Sequence, residues 1–141
     1  MTIAQGATNT FKIGLLDGGF DFAAGSFKIA LYTGASSIGP DTTAYTTDNE
    51  VVAPGYTAGG QALTVTQVPT IGNQSGNATA YLSFDNVTWT SALTARGALI
   101  YNADTNASVC VLDFGADKNS TTTFTVQFPA ATNTAAIIRI S

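Results

Sequence analysis

The sequence predicts one all-β domain, a β-sandwich preceded by a single short helix. Apolar residues recur at every second position in several short segments, turn-forming clusters separate those segments, and no helical period appears after residue 26. A chain of 141 residues fits one domain, and a domain of this size buries roughly 70% of the surface its unfolded form exposes. Hydrophobic residues are 45% of the chain and charged residues 10%, the reverse of a disordered composition. No internal repeat of fixed period is present, which argues against a solenoid or propeller.

Residues 1–9 are small and polar, with Ile3 the one large aliphatic side chain after Met1. They read as a flexible arm outside the core, of the kind that orders on binding. Residues 10–20 suit a short helix, with Asn9 or Thr10 capping its first amides and Gly18 or Gly19 taking the left-handed stop. Gly14 lowers the helical propensity, and so short a helix needs Phe11, Leu15, Phe20 and Phe22 docked on something apolar.

The sandwich is expected over 26–141. Its first strand places Phe27, Ile29 and Leu31 on a buried face and Lys28, Ala30 and Tyr32 on the other. Further strands are expected at 61–68, 79–84, 94–101, 108–114, 122–128 and 135–140. Turns are expected at 36–40, 54–60, 72–77, 102–107 and 115–121, where Gly, Pro, Asn and Asp cluster.

Composition removes most chemistry. The chain has no histidine, which takes away the usual general base near neutral pH, the commonest metal ligand and every nucleophile–histidine pair. Cys110, the single cysteine, lies within Val109-Cys110-Val111-Leu112 and reads as a small buried hydrophobe. Asp113, Asp117 and Asn119 flank Gly115, but their spacing fails the calcium-loop pattern, so these side chains are expected to bond local amides in a turn. Glu50 is the one glutamate and gives little support to a paired-carboxylate mechanism. Arg96, in an otherwise apolar strand, is expected to have a carboxylate partner.

The five cations, Lys12, Lys28, Arg96, Lys118 and Arg139, are scattered in a chain of net charge −4. Such a set does not neutralise a run of phosphates, so no nucleic-acid partner is expected. No stretch has the length and apolarity of a membrane span, and the first residues lack a basic and apolar leader, so neither membrane contact nor general secretion is expected. Asn73, Asn77, Asn86, Asn106 and Asn119 each begin an Asn-x-Ser/Thr triplet, expected to stay unmodified.

The strand Phe27-Lys28-Ile29-Ala30-Leu31-Tyr32-Thr33 is followed by a Thr/Tyr-rich loop, Asp41 to Val51, and by the turn Gly55-Tyr56-Thr57-Ala58-Gly59-Gly60. With Trp89-Thr90, Ala95 to Asn102, Val111 to Lys118, Phe124 to Pro129 and Ile137 to Ile140, this order resembles the small virion proteins of tailed bacteriophages, and within them the capsid decoration, or cement, group. The resemblance spans nearly the whole chain and rests on motifs that carry no chemistry. It implies a jelly-roll-like sandwich and a non-enzymatic structural protein without cofactor or metal.

The same resemblance implies a place on the outside of a phage head assembled in the bacterial cytoplasm, with the major capsid protein and a second copy of the chain as partners. A homodimer is the expected oligomer, with a trimer as the alternative. Contacts spanning two shell subunits gain from effective concentration, so weak patches suffice when many copies surround a shell. The expected contact residues are Ile3 in the arm, Phe11 and Leu15 in the helix, the aromatic residues Tyr32, Tyr45, Tyr56 and Trp89, and Arg139 in a last strand open to strand addition. A tail, fibre or baseplate component is the first alternative. A carbohydrate-binding module, with Trp89 and two or three tyrosines on one exposed face, is the second.

Overall fold

The computed structural model describes residues 2–74 and 76–141. Among these residues the chain forms one helix, α1 (Asn9–Asp17), and ten strands: β1 (Gly6–Ala7), β2 (Phe27–Tyr32), β3 (Gln61–Ala62), β4 (Val65–Gln74), β5 (Asn77–Phe84), β6 (Val87–Trp89), β7 (Thr94–Asn102), β8 (Ser108–Asn119), β9 (Phe124–Val126) and β10 (Ile138–Ile140). Every pairing is antiparallel. A five-stranded sheet has the order β1-β8-β7-β2-β3, and a three-stranded sheet β10-β5-β4 and a two-stranded ribbon β6-β9 complete the fold. The all-β sandwich expected from the period-two pattern is what the chain forms; these strand orders do not establish a jelly roll.

The main core joins the three units. Phe27, Ile29 and Ile100 of the large sheet meet Leu82 and Phe84 of the small sheet and Trp89 and Phe124 of the ribbon in one apolar cluster. β2 was expected to bury a single face, but Ala30 and Tyr32 on its other face are also fully buried. They belong to a second cluster with Leu99, Tyr101 and Val111, roofed by Ile3 and Ile38. The central strands are thus covered on both sides, by sheet on one and by irregular chain on the other.

That second roof overturns the reading of residues 1–9 as an arm; Met1 lies outside the described residues. Ile3 is buried, the Ala4 amide donates to the Ile38 carbonyl at 3.0 Å, and Gly6 and Ala7 pair with Val111 and Cys110. Small residues here permit close packing. Thr8, fully buried, caps α1 by accepting from the Phe11 amide at 3.1 Å, so the cap lies one residue before the two expected. Gly18, at φ 79°, makes the left-handed stop, and its amide donates to the Gly14 carbonyl.

Gly14 also has a packing reason to be glycine. A Cβ there would lie 2.2 Å from Cε2 of Phe20, whose ring covers the helix and meets Phe11 edge-on at a centroid distance of 5.2 Å. Phe11 and Phe22 are buried as the helix requires, whereas Leu15 is exposed.

Several boundaries differ from the pattern. The strand expected at 61–68 is two strands in different sheets, β3 and β4, because the chain leaves the large sheet between Ala62 and Val65. The turn expected at 72–77 is narrower, as β4 runs through Gln74 and β5 begins at Asn77; Ser75 lies outside the described residues. β6 and β1 were not anticipated, since two or three residues are too short to display a period. The turn expected after Asp113 is a bulge inside β8. Gly97 pairs with Asp113 and Ala95 with Lys118, so residues 114–117 face Arg96 alone, with Gly115 at φ 81°.

Candidate functional site

Four of the eight expected contact residues are inside the protein. Ile3, Phe11, Tyr32 and Trp89 are each 3% exposed or less, so in the folded chain they support the core and present no surface to a partner. Trp89 stacks on Tyr56 at a centroid distance of 5.9 Å and meets Phe124 edge-on at 6.3 Å. Trp89 therefore offers no exposed ring face on which a sugar could stack. Leu15 and Arg139 are exposed and Tyr45 and Tyr56 half-buried.

Tyr45 and Tyr56 instead converge on Glu50, a residue whose place the sequence reading missed. Glu50 is 6% exposed. Its Oε2 accepts from the Tyr45 hydroxyl at 2.6 Å, and its Oε1 accepts from the Tyr56 hydroxyl at 2.7 Å and the Gly59 amide at 2.8 Å. Around them, Tyr101 donates to the Gly59 carbonyl and Tyr32 to the Thr46 carbonyl, both at 2.6 Å. Burial first, then hydrogen bonding to and repulsion by Glu50, hold the Tyr45 and Tyr56 hydroxyls above the ordinary tyrosine range; burial and then Glu50 do the same for Tyr32.

Three donors occupy this carboxylate, so the cluster acts as a clamp. It pins the Thr/Tyr-rich loop and the glycine turn onto the large sheet. The one signal in the sequence was the single glutamate of the chain, placed between two tyrosines.

The remaining reactive groups are quiet. Cys110 is buried in the main core, and burial pushes its thiol up to about 12. Arg96 finds the expected carboxylate in Asp113, Nε to Oδ1 at 3.0 Å, and the Gly115 amide donates to the same oxygen at 2.9 Å. The guanidinium hydrogen bond, with that amide, holds Asp113 below the usual carboxylate range. Among the described residues, no group of three metal-ligating side chains comes together and no helix is long and apolar enough to cross a membrane.

Apolar side chains reach the surface at α1 and along a seam, besides the separately exposed Val52, Val68 and Ile71. The outer side of α1 exposes Ile13 at 64% and Leu16 at 92%. Below it runs an open seam between the sheets, where the main core reaches the surface through the half-buried Ala7, Phe20, Leu112, Phe114, Ile137 and Ile138. Three hollows are strung along the seam: about 580 Å³ between β8 and β9, about 380 Å³ between β1 and β10, and about 470 Å³ between α1 and the β10–β5 pair. Gln5, Leu112 and Ile137 line both the first and second, while Phe11, Leu15, Ile138 and Ile140 line both the second and third.

Comparison with known proteins adds no relative to this geometry. No family model, curated protein or solved structure matches the chain.

Proposed function

We propose that this chain is a non-enzymatic structural protein of a tailed-phage virion, which binds the outer surface of the head and cements neighbouring major capsid subunits. The observation that carries the reading is the apolar outer side of α1. Ile13 and Leu16 stand in water on a helix that Phe11, Thr8 and the Phe20 ring fasten to the sandwich, and large exposed apolar side chains on a rigid support are characteristic of a contact surface. The segment preceding the helix is tied into the large sheet, so the helix is the contact element and the former arm its anchor.

Composition supports the same reading. A surface rich in Thr and Asn, with 10% charged residues, makes polar contacts that salt screens little. The clamp at Glu50, the buried thiol and the absence of histidine leave these residues suited to holding a shape.

Quantitative mass spectrometry of purified virions against the major capsid protein tests the reading. A copy number approaching that of the shell subunit is expected, as is loss of head binding in Ile13→Asp/Leu16→Asp with the fold retained. A trace copy number moves the protein to the tail or baseplate, and absence from the particle ends the virion reading.

A further inference from the structure

Both sheets end at the seam. β1 is the last strand of the large sheet, β10 the last of the small sheet, and β9 has β6 as its single neighbour. The segment 38–40 lies beside β1, accepting from the Ala4 and Asn9 amides, whereas the outer edges of β10 and β9 offer backbone donors and acceptors with no strand opposite among the described residues. β8 loses β1 as a neighbour beyond Val111, and there the Asp113 amide is met by the side chain of Gln5, donating to its Oε1 at 3.0 Å. The floor between these edges is apolar, contributed by Leu112, Phe114, Phe124, Phe128, Ile137 and Ile138.

The rim is cationic. Three of the five cations of the chain border the hollows, Lys118 at the first and Lys12 and Arg139 at the second. Among the described residues none of the three has a carboxylate within ion-pair distance, since the ion pair they form is Arg96 with Asp113. The two carboxylates on the hollows are already committed: Asp113 to Arg96 and the Gly115 amide, and Asp21 to the amides of Ala23 and Ala24. In a protein of net charge −4, this strip is locally positive.

We propose that the seam is a binding site for an extended peptide segment of a partner protein, one that alternates apolar residues with carboxylates and adds as a strand to the free edge of β10. Strand geometry sends alternate side chains to opposite faces, so the apolar set fills the hollows beside Ile138 and Ile140 while the acidic set lies on the face of Arg139, whose guanidinium also donates to the Thr134 carbonyl. Lys12 and Lys118 at the rim add attraction to an acidic chain. Charge also decides against a second copy of this chain. Two seams facing each other across a two-fold axis bring the three cations of one against the three of the other. The inference does not rest on the virion reading, since it follows from the strand edges, floor and charge of this face alone.

The test is an amide NMR titration of the full chain with a short acetylated peptide alternating valine with glutamate, and in parallel with one alternating valine with lysine. Saturable shifts are expected at residues 138–140 of β10 and along 112–119 of β8 with the acidic peptide alone. The affinity should fall by about tenfold in Lys12→Glu/Arg139→Glu, which alters exposed side chains, and should weaken as salt is raised. No saturable shift, equal shifts with both peptides, shifts mapping elsewhere, or an unchanged affinity in a variant with a dispersed spectrum overturns the proposal. So do seam amides that move with protein concentration when no peptide is present, because the occupant is then a second copy.

Discussion

The Tyr56 hydroxyl links Glu50 to the large sheet: it donates to Glu50 Oε1 at 2.7 Å and accepts from the Leu31 amide at 2.8 Å. One side chain thus joins a buried carboxylate in a loop to the backbone of a central strand. Removing the carboxylate strands three donors, the hydroxyls of Tyr45 and Tyr56 and the Gly59 amide. Glu50→Ala should therefore cost about 3 kcal/mol or more, read as a lower denaturant midpoint at unchanged slope. Glu50→Gln keeps one acceptor oxygen and should lose less.

The same clamp sets the alkaline limit. Tyr32, Tyr45 and Tyr56 are held above the ordinary tyrosine value, about 10 in an unfolded chain. A folded-state value raised in this way contributes stability that is fully present below pH about 10 and is lost as the pH climbs through the folded value. Phenolate absorbance should therefore rise late and together with unfolding, and a simple titration near pH 10 of all five tyrosines would contradict the cluster.

At the acid end the sign reverses. Asp113 is held low by Arg96 and the Gly115 amide, so its contribution is present above the ordinary carboxylate value of about 3.9 and is lost as pH falls through the folded value. Arg96→Ala should move the Asp113 carboxyl titration upward, as followed by carbon NMR. The pair is partly exposed, so neutral-pH stability should change little.

Ile3 packs against a glycine in β7. A Cβ at Gly97 would lie 2.9 Å from Cδ1 of Ile3. Ile3→Ala should cost about 2–4 kcal/mol, as truncations of well-packed aliphatic residues do, and Thr8→Ala about 1–2 kcal/mol through the lost cap. Amide exchange at Ala4 and at Thr8, whose amide donates to the Val109 carbonyl, should be slow. Fast exchange there would restore the flexible arm.

Gly14→Ala is a test of packing against propensity. Alanine gains about 1 kcal/mol over glycine in an isolated helix, but its Cβ would collide with the Phe20 ring, and overpacking costs about 1–3 kcal/mol. A lower melting temperature is expected, together with shifted Phe20 ring signals; a stabilised variant would show that the ring moves aside freely.

The strand cores of β2, β5, β7 and β8 were legible because each is long enough to display a period of two, and α1 because Phe11 and the left-handed Gly18 bracket one helical stretch. Arg96 also announced its partner, since a cation among apolar strand residues needs one. Residues 1–8 failed for the opposite reason. Small and polar side chains look alike whether they float or pack tightly, and what separates the two is the hydrogen bonding of Ala4 to Ile38 and of Thr8 to Val109, across as many as a hundred positions.

The sequence by itself determined the all-β class, the one helix among the described residues, the burial of Cys110 and the lack of histidine chemistry, because these follow from composition and local period. The tertiary structure alone decided that Ile3, Tyr32 and Trp89 lie inside, that Glu50 gathers tyrosines from separate segments, and that an apolar seam rimmed by Lys12, Lys118 and Arg139 lies open between the sheets. Burial and proximity belong to pairs of residues far apart along the chain, and the strand order that brings them together is set by packing of whole sheets, which no local pattern encodes.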